Sequence, residues 1–443
     1  MGKTAFEAGW RVSRYNLFAP IPGTKNVAIA NLFKGTCGVY SPLDLFLLGE
    51  LETLDEEHPI LNRFRERGLI VNYDERAALE VMGRIGCAVG GVDLTICPTM
   101  GCNFDCPYCF ENHKAGKMME KVQDDVVALA ERMLGAAQKK TLTVTWFGGE
   151  PLLAPDVIEA LSQRLIALCE EKGAEYRAGI ITNGYLLTQE NADLLERCKV
   201  KKAQITLDGV GEAHDKTRHL AGGGATFERI TNNLRSVKLS FSVMIRHNVH
   251  AANANEVEAL KAFVETLAKE SGNKLAYYPG VVYGNDVSKD RGSDVGLLCA
   301  ADASEIGIRR EAMRFVPGRG QYCMAHHLMS IGIDEKGNLQ KCWEEVDKPE
   351  HRFGTAGRWD PNDPITTADY PDKMTRYLNT ALPNFDEECG ECVWLPACAG
   401  ECPNKRLYHK KCCLPFKDDP EKYVLALYDR IQNEKSEKSE KSE

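Results

Sequence analysis

Seventeen cysteines stand in this 443-residue chain, and most of them are grouped. Cys102, Cys106 and Cys109 form a C-x3-C-x2-C run, and eight more lie between Cys323 and Cys413. Thiolates are soft ligands that suit zinc and iron–sulfur clusters. The first run offers three sulfurs on one short loop, enough to hold three irons of a [4Fe–4S] cube and leave the fourth open. Structural zinc takes four ligands and normally shows paired knuckles, so it fits this run less well and would need His113 as a fourth ligand. The second group reads Cys323-x13-Gly337-x4-Cys342, then Cys389-x2-Cys392-x5-Cys398-x3-Cys402, then the pair Cys412-Cys413. Its thiolates could serve two iron–sulfur clusters or two zinc sites. Cys37, Cys87, Cys97, Cys169, Cys198 and Cys299 are scattered, and a buried free Cys behaves as a small hydrophobe.

Three other segments could face a ligand. In Trp146-Phe147-Gly148-Gly149-Glu150-Pro151 the two glycines allow close backbone approach, and Glu150 can accept hydrogen bonds from an ammonium. Thr182-Asn183-Gly184 is by itself a turn signal. Arg246, two residues before Asn248, carries the bidentate fork that suits a carboxylate.

These residues need elements to hold them. Strand-like segments at 94–97, 141–147, 177–182, 203–208, 240–246 and 274–282 alternate with helix-like ones at 121–137, 155–171, 189–198, 227–237 and 256–271. Such repetition predicts α/β architecture, with parallel strands and right-handed crossovers. Six units fall short of an eight-unit barrel. An open partial (β/α)6 barrel over 90–285 fits, and a doubly wound sheet is the rival. Residues 1–85 read as strands at 15–18 and 27–32, then helices at 41–54 and 60–66, then a strand at 69–71. That is a small α+β, winged-helix-like module, either a peptide-recognition element or a structural cap. Residues 286–322 form a bridging region, 323–428 a cysteine-rich domain, and 429–443 a charged Glu-Lys-Ser tail expected to be disordered.

Composition excludes other classes. With 55 Lys and Arg against 64 Asp and Glu, the net charge is −9, and no basic stripe suggests nucleic acid. No apolar run reaches the ~18 residues of a membrane span. The N-terminus has no secretory h-region, so a cytoplasmic protein is expected. Seventeen cysteines in so long a chain are too sparse for a disulfide scaffold.

The Cys102, Cys106, Cys109 loop, with Tyr108 before its last cysteine, resembles the signature of radical S-adenosylmethionine (SAM) enzymes. The resemblance implies that the open iron binds the amino and carboxylate groups of SAM, and that one electron cleaves it to a 5′-deoxyadenosyl radical, which takes a substrate hydrogen. It further implies that Gly148, Gly149 and Glu150 contact the SAM amino group, Asn183 the ribose, Arg246 the carboxylate and Tyr108 the adenine. Leu207-Asp208-Gly209, with His214, Asp215 and Arg218, looks like another family stretch. The C-terminal spacing resembles the SPASM domain, which implies two auxiliary [4Fe–4S] clusters and three in all. By position, Cys323, Cys342 and Cys402 would serve the first, with an open iron or Cys299 completing it. Cys389, Cys392, Cys398 and Cys413 would serve the second, with Cys413 favoured over Cys412.

SPASM enzymes mostly modify peptides or proteins. With the N-terminal module as leader-binding element, the resemblance points to a maturase that crosslinks a ribosomally made, Cys-containing precursor peptide through a thioether. A flavodoxin or ferredoxin would supply electrons. The alternatives are an anaerobic sulfatase maturase forming formylglycine and a non-catalytic metal-binding, peptide-recognising protein. In sulfatase maturases an Asp follows the Gly-x4-Cys cysteine as base; here Trp343-Glu344-Glu345 follows Cys342. No general base can be named.

Overall fold

The computed structural model describes residues 3–88, 90–281, 323–380, 382, 386–400, 402–408, 413 and 417–440. The bridging region 286–322, with Cys299, and Cys412 lie outside the described residues. Two compact units emerge, and they cut across the linear division. One gathers the described residues of 1–87 and 379–443 with Cys323; the other holds those of 88–308 and 324–378.

The second unit is built on a nine-stranded sheet. Its parallel core runs β6 (Val92–Ile96), β7 (Thr141–Trp146), β8 (Glu175–Thr182), β9 (Val200–Thr206), β10 (Ser242–Val249) and β11 (Leu275–Val281), side by side in chain order. A doubly wound sheet reverses its strand order at a switch point; this one does not, so the partial-barrel expectation holds. The crossovers are α4 (Glu120–Ala136), α5 (Pro155–Glu171), α6 (Gln189–Arg197), the short α7 (Glu212–Asp215) with α8 (Phe227–Ser236), and α9 (Val257–Ser271). Local chemistry sets their ends: Thr188 caps α6 by accepting from Asn191 N, and Gly272, left-handed at φ 71°, stops α9. Apolar strand residues hold the sheet, with Leu94, Ile96, Val144, Trp146, Ile205 and Ile245 all essentially buried. Each such side chain contributes about 1.5–3 kcal/mol of burial.

Beyond β6 the sheet continues through β12 (Ser330–Ile333), parallel to β6, and then the antiparallel β13 (Asn338–Gln340) and β14 (Gly354–Thr355). The cysteine-rich region was not expected to supply strands. These are two to four residues long, too short to show a period.

In the other unit β2 (Asn16–Pro20), β3 (Val27–Asn31) and β4 (Thr36–Tyr40) form an antiparallel sheet. A two-stranded pair joins β1 (Arg11–Val12) to β5 (Ile70–Val71). Helices α1 (Pro42–Gly49), α2 (Pro59–Arg67) and α3 (Glu75–Ala88) accompany them. Strand β4, whose apolar pattern Gly38 interrupts, and helix α3 were not predicted. This sheet shares a core with the C-terminal segments: Tyr15, Leu17, Ala28 and Ala30 pack in one cluster with Trp394, Leu395, Ala397, Tyr423 and Val424. The tail differs from expectation. Helix α14 (Pro420–Glu440) runs through most of it, because Glu and Lys are good helix formers and the helix starts on the buried Tyr423 and Val424. The intervening helices are α10 (Pro371–Asn379), α11 (Glu387–Glu391), α12 (Leu395–Cys398) and α13 (Pro403–Tyr408).

Candidate active site

The carboxyl ends of parallel strands are where α/β proteins place ligands, and the predicted residues of the barrel unit cluster there. The segment after β6 returns on itself. Thr99 pairs with Lys117, Thr99 Oγ1 donates to Gly116 O (2.5 Å), and Met118 N donates to Pro98 O (2.8 Å). The loop so closed carries Cys102, Cys106 and Cys109. A second tie fixes its far side, where Ala221 N donates to Asn103 O (2.9 Å) and Asp105 N to His219 O (3.1 Å). Phe104, 1% exposed, anchors it edge-on against Tyr185.

The three thiols are buried or half-buried. Desolvation pushes Cys102 up to about 12 and Cys109 further, and the neighbouring sulfurs add to both shifts. Such thiols become thiolates when a metal replaces their protons, which is the donor set an iron–sulfur cluster requires. Cys102 Sγ accepts from Phe104 N (3.4 Å), and Cys109 Sγ lies 3.1 Å from His113 Nε2. Cys109, Glu111 and His113 also bring one ligand atom each within 4.8 Å of one another, without Cys102 or Cys106.

The Gly-Gly-Glu segment at the end of β7 lies directly on this loop. A Cβ on Gly149 would stand 2.3 Å from Gly101 O, and one on Gly148, at φ 102°, 2.4 Å from Thr99 O. Glu150 N donates to Gly101 O (2.8 Å). The glycines therefore permit contact with the cysteine loop's own backbone, a role not legible in the sequence. Glu150 is fully buried and already in demand. Its Oε1 accepts from Leu152 N (3.0 Å) and Thr182 Oγ1 (2.7 Å), its Oε2 from Asn183 N (2.7 Å). Asn183 Nδ2 in turn donates to Asn103 Oδ1 (2.8 Å), between Cys102 and Phe104. Asn103 Nδ2 is buried and has no partner among the described residues. An orphaned donor of this kind costs about 1–3 kcal/mol, which a polar ligand at the rim would offset.

Tyr108 enters a buried polar network. Its hydroxyl donates to Asp208 Oδ2 and accepts from Arg218 Nη1 (2.9 Å) and Asn248 Nδ2 (3.3 Å). Thr217 Oγ1 (3.0 Å) and Asn248 N (3.3 Å) also donate to Asp208. With the hydroxyl committed, only its ring and backbone are left for an adenine. Arg246 is half-buried; Nε donates to Asn248 Oδ1 (2.6 Å) and Nη1 to Tyr278 OH (3.3 Å).

His214 supports the same network. Its Nδ1 accepts from Asp208 N (3.2 Å), and desolvation lowers its pKa from 6.5 to about 4. Protonation would remove that acceptor. The unfolded chain thus binds a proton near pH 6.5 that the folded chain refuses until about pH 4. Stability from this group is complete above pH 6.5 and falls by about 3 kcal/mol as the pH drops to about 4. Urea midpoints across that range should show the decline, and His214→Gln should make it shallower without abolishing it, because burial also lowers His247 to about 4.

In the other unit, Cys389 lies in α11, Cys392 follows it, and Cys398 ends α12, where its Sγ accepts from Gly400 N (3.3 Å). All three pack against the shared core. Lys417 Nζ reaches both Glu388 Oε1 (2.6 Å) and Cys413 Sγ (3.6 Å), so Cys413 lies beside the helix that carries Cys389. Cys323 and Cys402 belong to this unit, whereas Cys342 sits in the barrel unit, just before a 3-10 turn at Trp343–Glu345.

The profile of the Radical SAM superfamily matches residues 96–264. Over those residues the chain is similar to radical SAM domains. That superfamily consists of enzymes, and a match to it implies a [4Fe–4S] cluster and SAM. Among curated relatives, Fe-coproporphyrin III synthase from Methanosarcina barkeri is 26% identical over 48% of this chain and 49% of its own length. AdoMet-dependent heme synthase from the same organism is 30% identical over 41% and 47%. The chain thus spans about half the length of the curated relatives it matches. Native anSMEcpe, solved with bound AdoMet and the Cp18Cys peptide, shares the fold at a TM-score of 0.56 and 20% identity, covering 78% of this chain and 99% of that one. Among the described residues no helix is long and apolar enough to cross a membrane.

Proposed function

We propose that the chain is a radical SAM peptide maturase that forms a crosslink, a cysteine thioether, in a ribosomally made precursor. The observation that carries the catalytic part is the closed loop bearing Cys102, Cys106 and Cys109, seated on Gly148, Gly149 and Glu150. Those sulfurs would hold the cluster, while the rim with Asn183, Arg246 and the Tyr108 ring would hold SAM. When bound, the two supply a carbon radical able to take a hydrogen atom from an unactivated C–H bond. The chain's part is to seal and orient: buried Glu150 locks the ends of β7 and β8 together, and the Tyr108–Asp208–Arg218 network keeps the cysteine loop in register with β9.

Two observations support a peptide substrate. The likeness in fold to anSMEcpe is to a protein solved with a peptide. In the N-terminal module, α3 leaves Val81, Met82 and Ile85 roughly half-exposed, at 55%, 49% and 54%. Such an apolar strip suits a peptide's side chains. Cys389, Cys392, Cys398 and Cys413 would hold one auxiliary cluster. The assignment of Cys323, Cys342 and Cys402 to another rests on their spacing. A flavodoxin or ferredoxin would reduce the protein.

The formylglycine alternative has less support. Trp343, after Cys342, lies against Phe147 (ring centroids 5.4 Å), and Glu345 is engaged by His351 Nδ1 (2.9 Å) and Tyr377 OH. A tetrapyrrole substrate, as the names of the two Methanosarcina relatives suggest, is the second reading. Binding separates the two. With a labelled Cys-containing peptide encoded beside the gene, Val81→Glu with Ile85→Glu should weaken affinity about tenfold or more, since ~1.4 kcal/mol is tenfold, and leave peptide-free SAM cleavage unchanged. Equal affinity in both proteins would reduce the module to a cap, and turnover of an iron porphyrin would favour the second reading.

A further inference from the structure

The cysteine loop contains one contact that its motif does not require. His113 Nε2 lies 3.1 Å from Cys109 Sγ. The residues on either side of His113 are held by a single carboxylate: Asn112 N donates to Asp347 Oδ2 (3.1 Å), and Lys114 Nζ pairs with Asp347 Oδ1 (3.0 Å). The Asp347 side chain is only 4% exposed. Both His113 (φ 47°) and Asp347 (φ 69°) adopt the left-handed conformation that non-glycine residues rarely take. Strain of this kind persists where the surroundings over-determine it, and it concentrates at functional sites. Here one strained residue provides the clamping carboxylate and the other lies between the two residues it holds, and the His113 imidazole stands beside a cysteine sulfur.

Resting on the radical SAM reading above, we propose that His113 donates a hydrogen bond from Nε2 to the Cys109 thiolate and raises the reduction potential of the cluster held by Cys102, Cys106 and Cys109, with Asp347 as its positioning residue. A metal-bound thiolate carries no proton, so it can only accept; the contact fixes His113 as the donor. Reduction adds negative charge to the cluster and its sulfurs, and a donor at the sulfur stabilises that charge more than the oxidised form. The chain thereby eases delivery of the electron on which SAM cleavage depends. The buried Glu111 carboxylate lies within 4.8 Å of both groups and makes the rival role explicit, a mixed Cys-Glu-His metal site.

The test uses the full chain, reconstituted anaerobically, in a redox titration followed by electron paramagnetic resonance. The relevant signal is the reduced-cluster signal that SAM perturbs. In His113→Phe its reduced-to-oxidised ratio at fixed poise should fall about tenfold, a shift of about 59 mV for a one-electron couple. Iron and sulfide content should not change. His113→Gln keeps an N–H donor and should recover most of the shift, while Asp347→Ala should move the ratio in the same direction as His113→Phe. An unchanged ratio in both His113→Phe and Asp347→Ala would overturn the proposal. So would loss of this cluster's iron in His113→Gln, which would make His113 a ligand. If the unaltered chain shows no SAM-perturbed signal, the radical SAM reading fails, and this inference with it.

Discussion

Replacing Cys102, Cys106 and Cys109 together with alanine should abolish formation of 5′-deoxyadenosine while leaving a substantial part of the bound iron. The reason is the separation of the sulfurs. The three lie on the loop after β6, whereas Cys389, Cys392, Cys398 and Cys413 belong to the other compact unit. On the proposed three clusters of four irons each, iron content should fall from about twelve to about eight per chain. Fold should survive, because the loop is closed by Thr99, Met118 and Ala221, none of which the substitutions touch. Iron quantification and product chromatography read both arms. Iron falling to zero would remove the auxiliary-cluster assignment, and persistent product would remove the catalytic one.

Glu150→Leu should be the most disruptive single change at the rim. It would leave two buried backbone N–H groups, of Leu152 and Asn183, and the Thr182 hydroxyl without their acceptor. A buried donor left without its acceptor costs about 1–3 kcal/mol, and here three lose theirs at once. Glu150→Gln keeps one oxygen but turns an NH2 towards a donor, so about 1–3 kcal/mol is expected. Chemical denaturation of the two variants should rank them in that order, and both should lose SAM cleavage. A Glu150→Leu chain of unaltered stability would mean that the three donors find other partners.

What could be read from the sequence divides along a physical line. The six parallel strands and their helices were legible because each is long enough for its apolar period to show, as in α4 with Val122, Val126, Leu129 and Met133 buried. Strands β12 to β14 were not, since two to four residues carry no period. The tail misled because composition rich in Glu, Lys and Ser is shared by disordered chains and solvent-exposed helices.

At the site, the cysteines and the glycine pair were legible as motif members. Their polar partners were not. Glu150 bonds Asn183 across 33 positions, Arg218 reaches Tyr108 across 110, and Asp347 holds Asn112 across 235. Only the folded sheet and its loops bring such residues together. Tyr108 illustrates the consequence: its place in the motif suggests an adenine contact, while the fold commits its hydroxyl to Asp208 and Arg218.

The most direct test of the account is SAM cleavage by the anaerobically reconstituted full chain with a strong reductant. The account predicts 5′-deoxyadenosine in an amount that depends on reductant and on Cys102, Cys106 and Cys109. A chain that binds iron, is reduced, and still yields no 5′-deoxyadenosine with or without peptide would contradict it.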